Sequence, residues 1–282
     1  MSSARIQARF KALEAEGRAA FVAYVMGGDP DLATSERTLK ALPGAGADLI
    51  EVGMPFSDPM AEGPPIQRAA QRALAAGATL NGVLEMVRRF RAGDDATPIV
   101  LMGYMNSVHN RGVDAFARDA AAAGADGAII VDCPPEESGD IAAALDRAGL
   151  SLIFLATPTS DDRRLATIVK RASGFVYYVS VAGVTGVKEA DEAVVAPAVE
   201  RVRRASGLPV AVGFGIRTPE RAAAIARVAD AAVVGSALVD EVVKAQELNE
   251  DVTQRVLSKV GSLAKAVRSA RLGTTVTIDG DG

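Results

Sequence analysis

The sequence has no tryptophan, a single histidine and a single cysteine, and aromatic residues make up only 4% of it. Each scarcity closes a route. With Cys133 alone, no disulfide can form within the chain, and a Cys/His metal cluster fails on count. A Ser-His-Asp arrangement would have to use His109, which sits in the polar run NSVHNRG and reads as a solvated loop residue. No apolar run approaches the roughly 18 residues that a membrane helix needs. The first residues, MSSARIQARFKALEAEG, are charged and helical in pattern without the apolar centre of a signal peptide, so the expected setting is the cytoplasm. Lys and Arg number 31 against 35 Asp and Glu and are scattered along amphipathic stretches. A net charge of −4 without a basic face argues against nucleic-acid binding. If the chain is an enzyme, carboxylates and backbone amides must do most of its chemistry.

What is plentiful is aliphatic: 49% of the 282 residues are hydrophobic, and small residues abound. Eight apolar runs recur from end to end: Ala19–Met26, Ala47–Met54, Pro98–Tyr104, Gly127–Val131, Leu150–Ala156, Gly174–Ser180, Pro209–Gly215 and Asp230–Ser236. They are continuously apolar, as strands buried on both faces should be. Helical patterns lie between them, among them Leu32–Leu42, Val113–Ala123, Glu136–Ala148, Asp161–Ala172 and Pro219–Val228. Ala-Gly-Ala-Asp precedes the second and fourth runs and Arg-Ala-Gly the fifth, a helix-ending glycine followed by a strand. Eight such units predict an α/β fold, a single TIM (β/α)8 barrel. A doubly wound open sheet is the alternative, but YVMGGDPD after the first run lacks the G-x-G-x-x-G fingerprint. An extra helix within Met1–Gly17 is expected to cap the barrel floor. Ile66–Ala76 and Leu80–Arg91 put an extra helix between strands two and three, and Val252–Arg271 forms the last one. Residues 1–272 read as one domain and 273–282 as a polar, flexible tail.

Barrel enzymes place their chemistry at the C-terminal ends of the strands. Glu51, inside ADLIEVGM, is the first group out of place there, because an unpaired carboxylate in an apolar strand costs several kcal/mol. Two readings stand: a buried ion pair with an arginine, or a carboxyl group in the barrel mouth whose raised pKa suits proton transfer. The following loop, Pro55–Pro65, adds Asp58 and Glu62, which read equally as solvated charges. At the far end, YYVSVAGVTG (Tyr177–Gly186), GFGI (Gly213–Ile216) and GSAL (Gly235–Leu238) bring three glycine turns to one quadrant. A short helix beginning near Ser236 would aim its positive end there too, which points to a phosphorylated small-molecule substrate.

With EVGMPFSDPMAEGPPIQ (Glu51–Gln67), GGDP (Gly27–Pro30), VDCPPEES (Val131–Ser138), YYVSVAGVTG, GFGI and GSALV on the page, the chain resembles the tryptophan synthase alpha subunits. The likeness runs from about Arg18 to the last helix. It implies a retro-aldol lyase that cleaves indole-3-glycerol phosphate to indole and glyceraldehyde 3-phosphate. Carried over by position, Glu51 is the general acid at indole C3 and can also take the hydroxyl proton. Glu62 stands where the family has an aspartate facing the indole N–H, and it adds one methylene. Tyr177 matches a tyrosine beside Glu51, though it also reads as plain barrel lining. Gly186, Gly215, Gly235 and Ser236 match the phosphate site, and Thr185 a loop residue that fastens onto the Glu62 loop. Val181 falls where some relatives carry arginine. Ile66, Met102 and Phe214 are candidates for the indole pocket or, equally, for core. The resemblance also implies an α2β2 complex with a β subunit that carries pyridoxal phosphate, and a tunnel for indole between the two. The contact would use Pro55, Asp58, Pro59, Asn106 and Pro134. It implies no cofactor and no metal in this chain. Three alternatives are kept beside this one: another phosphate-binding barrel such as a sugar-phosphate isomerase, a stand-alone indole-releasing lyase, and a non-catalytic activating subunit.

Overall fold

The computed structural model describes residues 3–180, 192–213 and 215–272. The strands are β1 (Ala20–Met26), β2 (Leu49–Gly53), β3 (Ile99–Gly103), β4 (Gly127–Ile130), β5 (Ser151–Leu152), β6 (Phe154–Ala156), β7 (Val176–Val179), β8 (Val210–Gly213) and β9 (Ala231–Val234). The helices are α1 (Ala4–Ala15), α2 (Leu32–Ala45), α3 (Pro64–Ala75), α4 (Leu80–Arg91), α5 (Met105–Arg111), α6 (Val113–Ala123), α7 (Gly139–Arg147), α8 (Asp162–Val169), α9 (Glu192–Ser206), α10 (Pro219–Val228), α11 (Ser236–Leu248) and α12 (Val252–Ser269). All strand pairs are parallel and run in the order β5-β4-β3-β2-β1-β9-β8-β7-β6. The expected tail, 273–282, lies outside the described residues.

The fifth apolar run, expected as one strand, is divided at Ile153. Ser151–Leu152 pairs with β4 and Phe154–Ala156 with β7, so β5 and β6 together are the eighth stave that closes the TIM barrel. Staves in a barrel are staggered, so the two edges of one stave find partners along different lengths. At the change-over Ile153 donates to the Ala128 carbonyl, while Leu152 exchanges bonds with Ser173 ahead of β7.

Alternation along the staves makes two cores. Ile50 and Val52 pack outward with the helices, whereas Leu49, Tyr24, Val100, Tyr177 and Ala211 fill the barrel. The floor is closed by α1, whose Ile6, Phe10 and Leu13 belong to the interior cluster, and Phe10 lies 5.8 Å from Phe175 between ring centroids. Gly46 and Gly124, in the repeated Ala-Gly-Ala-Asp, end α2 and α6 with φ of 113° and 92°, a conformation that disfavours any side chain. The aspartate of the phrase also has a task. Asp48 accepts the Phe21 N–H and Asp126 the Ile99 N–H, each at 2.9 Å, so each ties the start of the neighbouring stave. Asp230 does the same for Val210, and arginines pair with all three: Arg18, Arg91 and Arg203.

His109 is not in a loop. It is exposed on α5, a helix whose first N–H, that of Met105, is held by the Asp132 carboxylate at 2.7 Å. That partner comes from the end of another stave, which no local pattern announces. No helix among the described residues is long and apolar enough to cross a membrane.

Candidate active site

Glu51 occupies the third position of β2. Its register partners are Tyr24 on β1 and Val100 on β3, both interior, and Leu49 two residues earlier is interior as well. The carboxyl group therefore enters the barrel, at 1% exposure. Its Oε1 has no hydrogen-bond partner, and no ion pair to Glu51 occurs among the described residues. The arginine-paired reading is thereby removed. Burial, and secondarily the Glu62 carboxylate, pushes the Glu51 pKa up to about 8.

The chain leaves β2 through Gly53 and Met54 and crosses the mouth before α3 begins. Glu62 stands near the end of this loop, half-buried, and burial pushes its pKa up to about 7. Its backbone is fixed on both sides: Glu62 N–H donates to the Pro59 carbonyl at 3.0 Å, and Gln67 Nε2 donates to the Glu62 carbonyl at 2.9 Å. Two carboxyl groups with raised pKa values thus face one apolar space, an arrangement suited to giving and taking protons near neutral pH.

Tyr177 on β7 is buried in the same interior, and burial followed by the Glu51 and Glu62 charges holds its phenol well above the ordinary value. Its hydroxyl lies so close to Gly213 that a Cβ there would overlap it. Two aromatic residues missed by sequence reasoning belong to this group. Tyr24 is buried opposite Glu51, its hydroxyl against Gly53 and its ring against Gly235. The parity of Val22, Tyr24 and Met26 within one apolar run was the available signal. Tyr104, at the end of the third run, accepts the Ala61 N–H at 3.0 Å and stacks on Phe56. Ile66 and Met102 are both buried in the interior cluster. Phe214 lies outside the described residues.

Beyond β1 around the barrel, β9 ends at Val234 and β8 at Gly213. Gly235 caps α11, which starts at Ser236 and runs for 13 residues, longer than the short helix anticipated. The first-turn N–H groups and the positive end of that helix suit an anion, with Gly215 on the adjoining turn. Thr185, Gly186 and Val181 lie outside the described residues. Among the described residues no group of three or more His, Cys, Asp or Glu could hold a metal ion. Cys133 is buried and unpaired.

The segments that follow β2, β3 and β4, adjacent staves, carry the five residues expected at a partner surface, Asn106 on α5 and the others in loops. Asp58, Asn106 and Pro134 are exposed and Pro55 partly so, whereas Pro59 is buried within this chain. Met60, 75% exposed at the crest of the first loop, is the large apolar side chain standing out beside them.

A sequence profile described as tryptophan synthase alpha chain matches residues 10–268. The tryptophan synthase alpha chain of Phenylobacterium zucineum (strain HLK1) is 72% identical over 271 residues, 96% of this chain and 98% of that one. That of Caulobacter vibrioides (strain NA1000 / CB15N) is 68% identical over 274 residues, 97% and 100% of the two chains. Among solved structures, tryptophan synthase subunit alpha from Legionella pneumophila str. Paris superposes with a TM-score of 0.87 at 39% identity, covering 95% and 98%. A chain of Mycobacterium tuberculosis tryptophan synthase gives 0.85 at 39% identity, covering 95% and 99%.

Proposed function

Because the chain belongs to the tryptophan synthase alpha chain family, we propose that Glu51 and Glu62 are the proton-handling pair of its reaction. The chain is the lyase that cleaves indole-3-glycerol phosphate to indole and glyceraldehyde 3-phosphate in tryptophan biosynthesis. Neither the stand-alone lyase nor the non-catalytic subunit is favoured. Alpha chains hold no pyridoxal phosphate of their own; that cofactor belongs to the β chain.

The buried, unpartnered Glu51 carboxyl carries the reading. Protonated at neutral pH, it delivers its proton to indole C3 and makes the ring an electrophilic indolenine. The carboxylate so formed takes the proton of the hydroxyl next to the scissile carbon. As that oxygen becomes a carbonyl, the C–C bond breaks and its electron pair returns to the indole ring. Glu51 ends protonated, ready for the next turnover. Glu62, as the anion, faces the indole N–H and offsets the positive charge that C3 protonation places on nitrogen. Tyr177 lines the ring, Ile66 and Met102 shape its pocket, and Gly215, Gly235 and Ser236 receive the phosphate.

This assignment fixes the pH dependence. Glu51 must be protonated, so activity falls as pH rises through about 8. Glu62 must be ionised, so activity falls as pH drops through about 7. A narrow bell for kcat/KM with its top between the two is expected, its limbs belonging to the coupled pair. Glu62→Gln is expected to lower kcat/KM by about 10²-fold, to abolish the acid limb and to move the alkaline limb to lower pH, because a repelling charge is gone. An unchanged acid limb in that variant would refute the role of Glu62.

A β-subunit partner follows from the family. We assign the α2β2 stoichiometry, a cytoplasmic setting and an indole tunnel opening on the face of Asp58, Asn106 and Pro134, with Pro55 and Pro59 beside them. Sedimentation of the mixed chains is expected to give one heterotetramer, and β chain is expected to raise the lyase rate. Equal rates with and without it would contradict this.

A further inference from the structure

We propose that Tyr104 is a positioning residue for the alpha reaction, its side chain gripping the loop that presents Glu62. The inference rests on the role given to Glu62 above. That loop hangs between two fixed ends. At one, Met54 N–H donates to the Met102 carbonyl at 2.7 Å. At the other, α3 is anchored through Arg72, which holds the buried Asp29 by two hydrogen bonds of 2.8 and 2.7 Å. Between them, Met60 N–H to Asp58 carbonyl and Glu62 N–H to Pro59 carbonyl give the loop its shape. Bonds internal to a loop do not fix where it stands relative to the barrel.

Tyr104 supplies that reference. It follows β3, the stave next to β2, and is 3% exposed. Its hydroxyl takes the N–H of Ala61, the residue before Glu62, at 3.0 Å. Its ring stacks on Phe56 near the loop's start, with centroids 5.3 Å apart and planes at 29°. One rigid side chain therefore holds the loop at both limbs. Burial, then the nearby Glu62 carboxylate, pushes the phenol up to about 12, so it stays protonated wherever the enzyme works. The extra methylene of a glutamate leaves more freedom at its carboxylate, which makes the placement of its backbone matter more. A misplacement of about 1 Å costs up to about 10²-fold in rate.

The test uses wild type, Tyr104→Phe, Glu62→Gln and the double variant, each with saturating β chain and indole-3-glycerol phosphate. Phenylalanine keeps the ring and its stacking and removes the acceptor for Ala61. Tyr104→Phe is expected to lower kcat about tenfold while KM changes less than about twofold and the melting midpoint holds. With Glu62 already replaced, removing the hydroxyl should cost less than about twofold, because the group it places is gone. A Tyr104→Phe enzyme of wild-type rate overturns the proposal, as does an equal fold-loss in both backgrounds. A Glu62→Gln enzyme of wild-type rate removes the Glu62 assignment itself, and this inference with it. In wild type the Ala61 amide should exchange with solvent hydrogen more slowly than that of Ser57; equal rates overturn the grip whether or not the variant folds.

Discussion

Glu51→Gln is expected to lose about 10²- to 10⁴-fold in indole release, the range for a missing general acid, while gaining stability at alkaline pH. Both effects come from one fact, a carboxyl group buried without a partner. Its pKa is about 8 in the folded chain and near the ordinary 4.5 when unfolded. Between those values the native state binds more protons than the unfolded state, so stability falls as pH rises from about 4.5 through about 8. The loss is on the order of a few kcal/mol and is complete above the folded value. Glutamine has nearly the same shape and cannot ionise, so the variant escapes that loss. Denaturant midpoints of the two proteins should nearly coincide at pH 5 and separate at pH 9 with the variant the more stable. A variant that releases indole at the wild-type rate ends the mechanism, and a stability difference independent of pH contradicts the burial argument.

Gly213→Ala is expected to be the more damaging change for its size, one methyl group. A Cβ at 213 would overlap the Tyr177 hydroxyl and lie 2.5 Å from its Cζ. A phenol at the end of a mobile chain would swing aside, but Tyr177 is 5% exposed and enclosed by the interior cluster. Overpacking of this kind costs about 1–3 kcal/mol. The displaced ring would also intrude on the space of Glu51, whose charge is the first that Tyr177 feels, and a fall of about 10²-fold in kcat/KM is expected. Tyr177→Leu removes every atom of the clash. Gly213→Ala/Tyr177→Leu should therefore melt above Gly213→Ala alone, a non-additive pair. Additive losses would show that the two positions do not meet.

Much of the fold could be read along the chain because the barrel is built from repeated local units. Helices Leu80–Arg91, Val113–Ala123 and Pro219–Val228 end where the pattern said. Thr79 and Thr218 cap two of them by accepting the Gly82 and Arg221 N–H groups. Two helices carry a proline inside them: α2 continues past the expected Leu42 through Pro43 to Ala45, and α9, not among the expected helices, contains Pro197. The division at Ile153 and the helix around His109 depend on partners far along the chain, Ser173 and Asp132, and no window of neighbours contains them. The same holds for the site. Glu51 was conspicuous as a charge in an apolar run, but whether an arginine neutralised it was decided only by assembly. Tyr24 and Tyr104 looked like ordinary strand aromatics, and closure turned them into neighbours of the two carboxyl groups.

The plug at the barrel floor sets the direction of traffic. Ile6, Phe10 and Leu13 fill the interior at the end where the staves begin, away from Glu51. In the proposed reaction, substrate and both fragments would then cross the end of the barrel that carries the loops after β2, β3 and β4. The amino-terminal helix, remote from the chemistry, thereby leaves passage of an apolar product to the face proposed above for the partner.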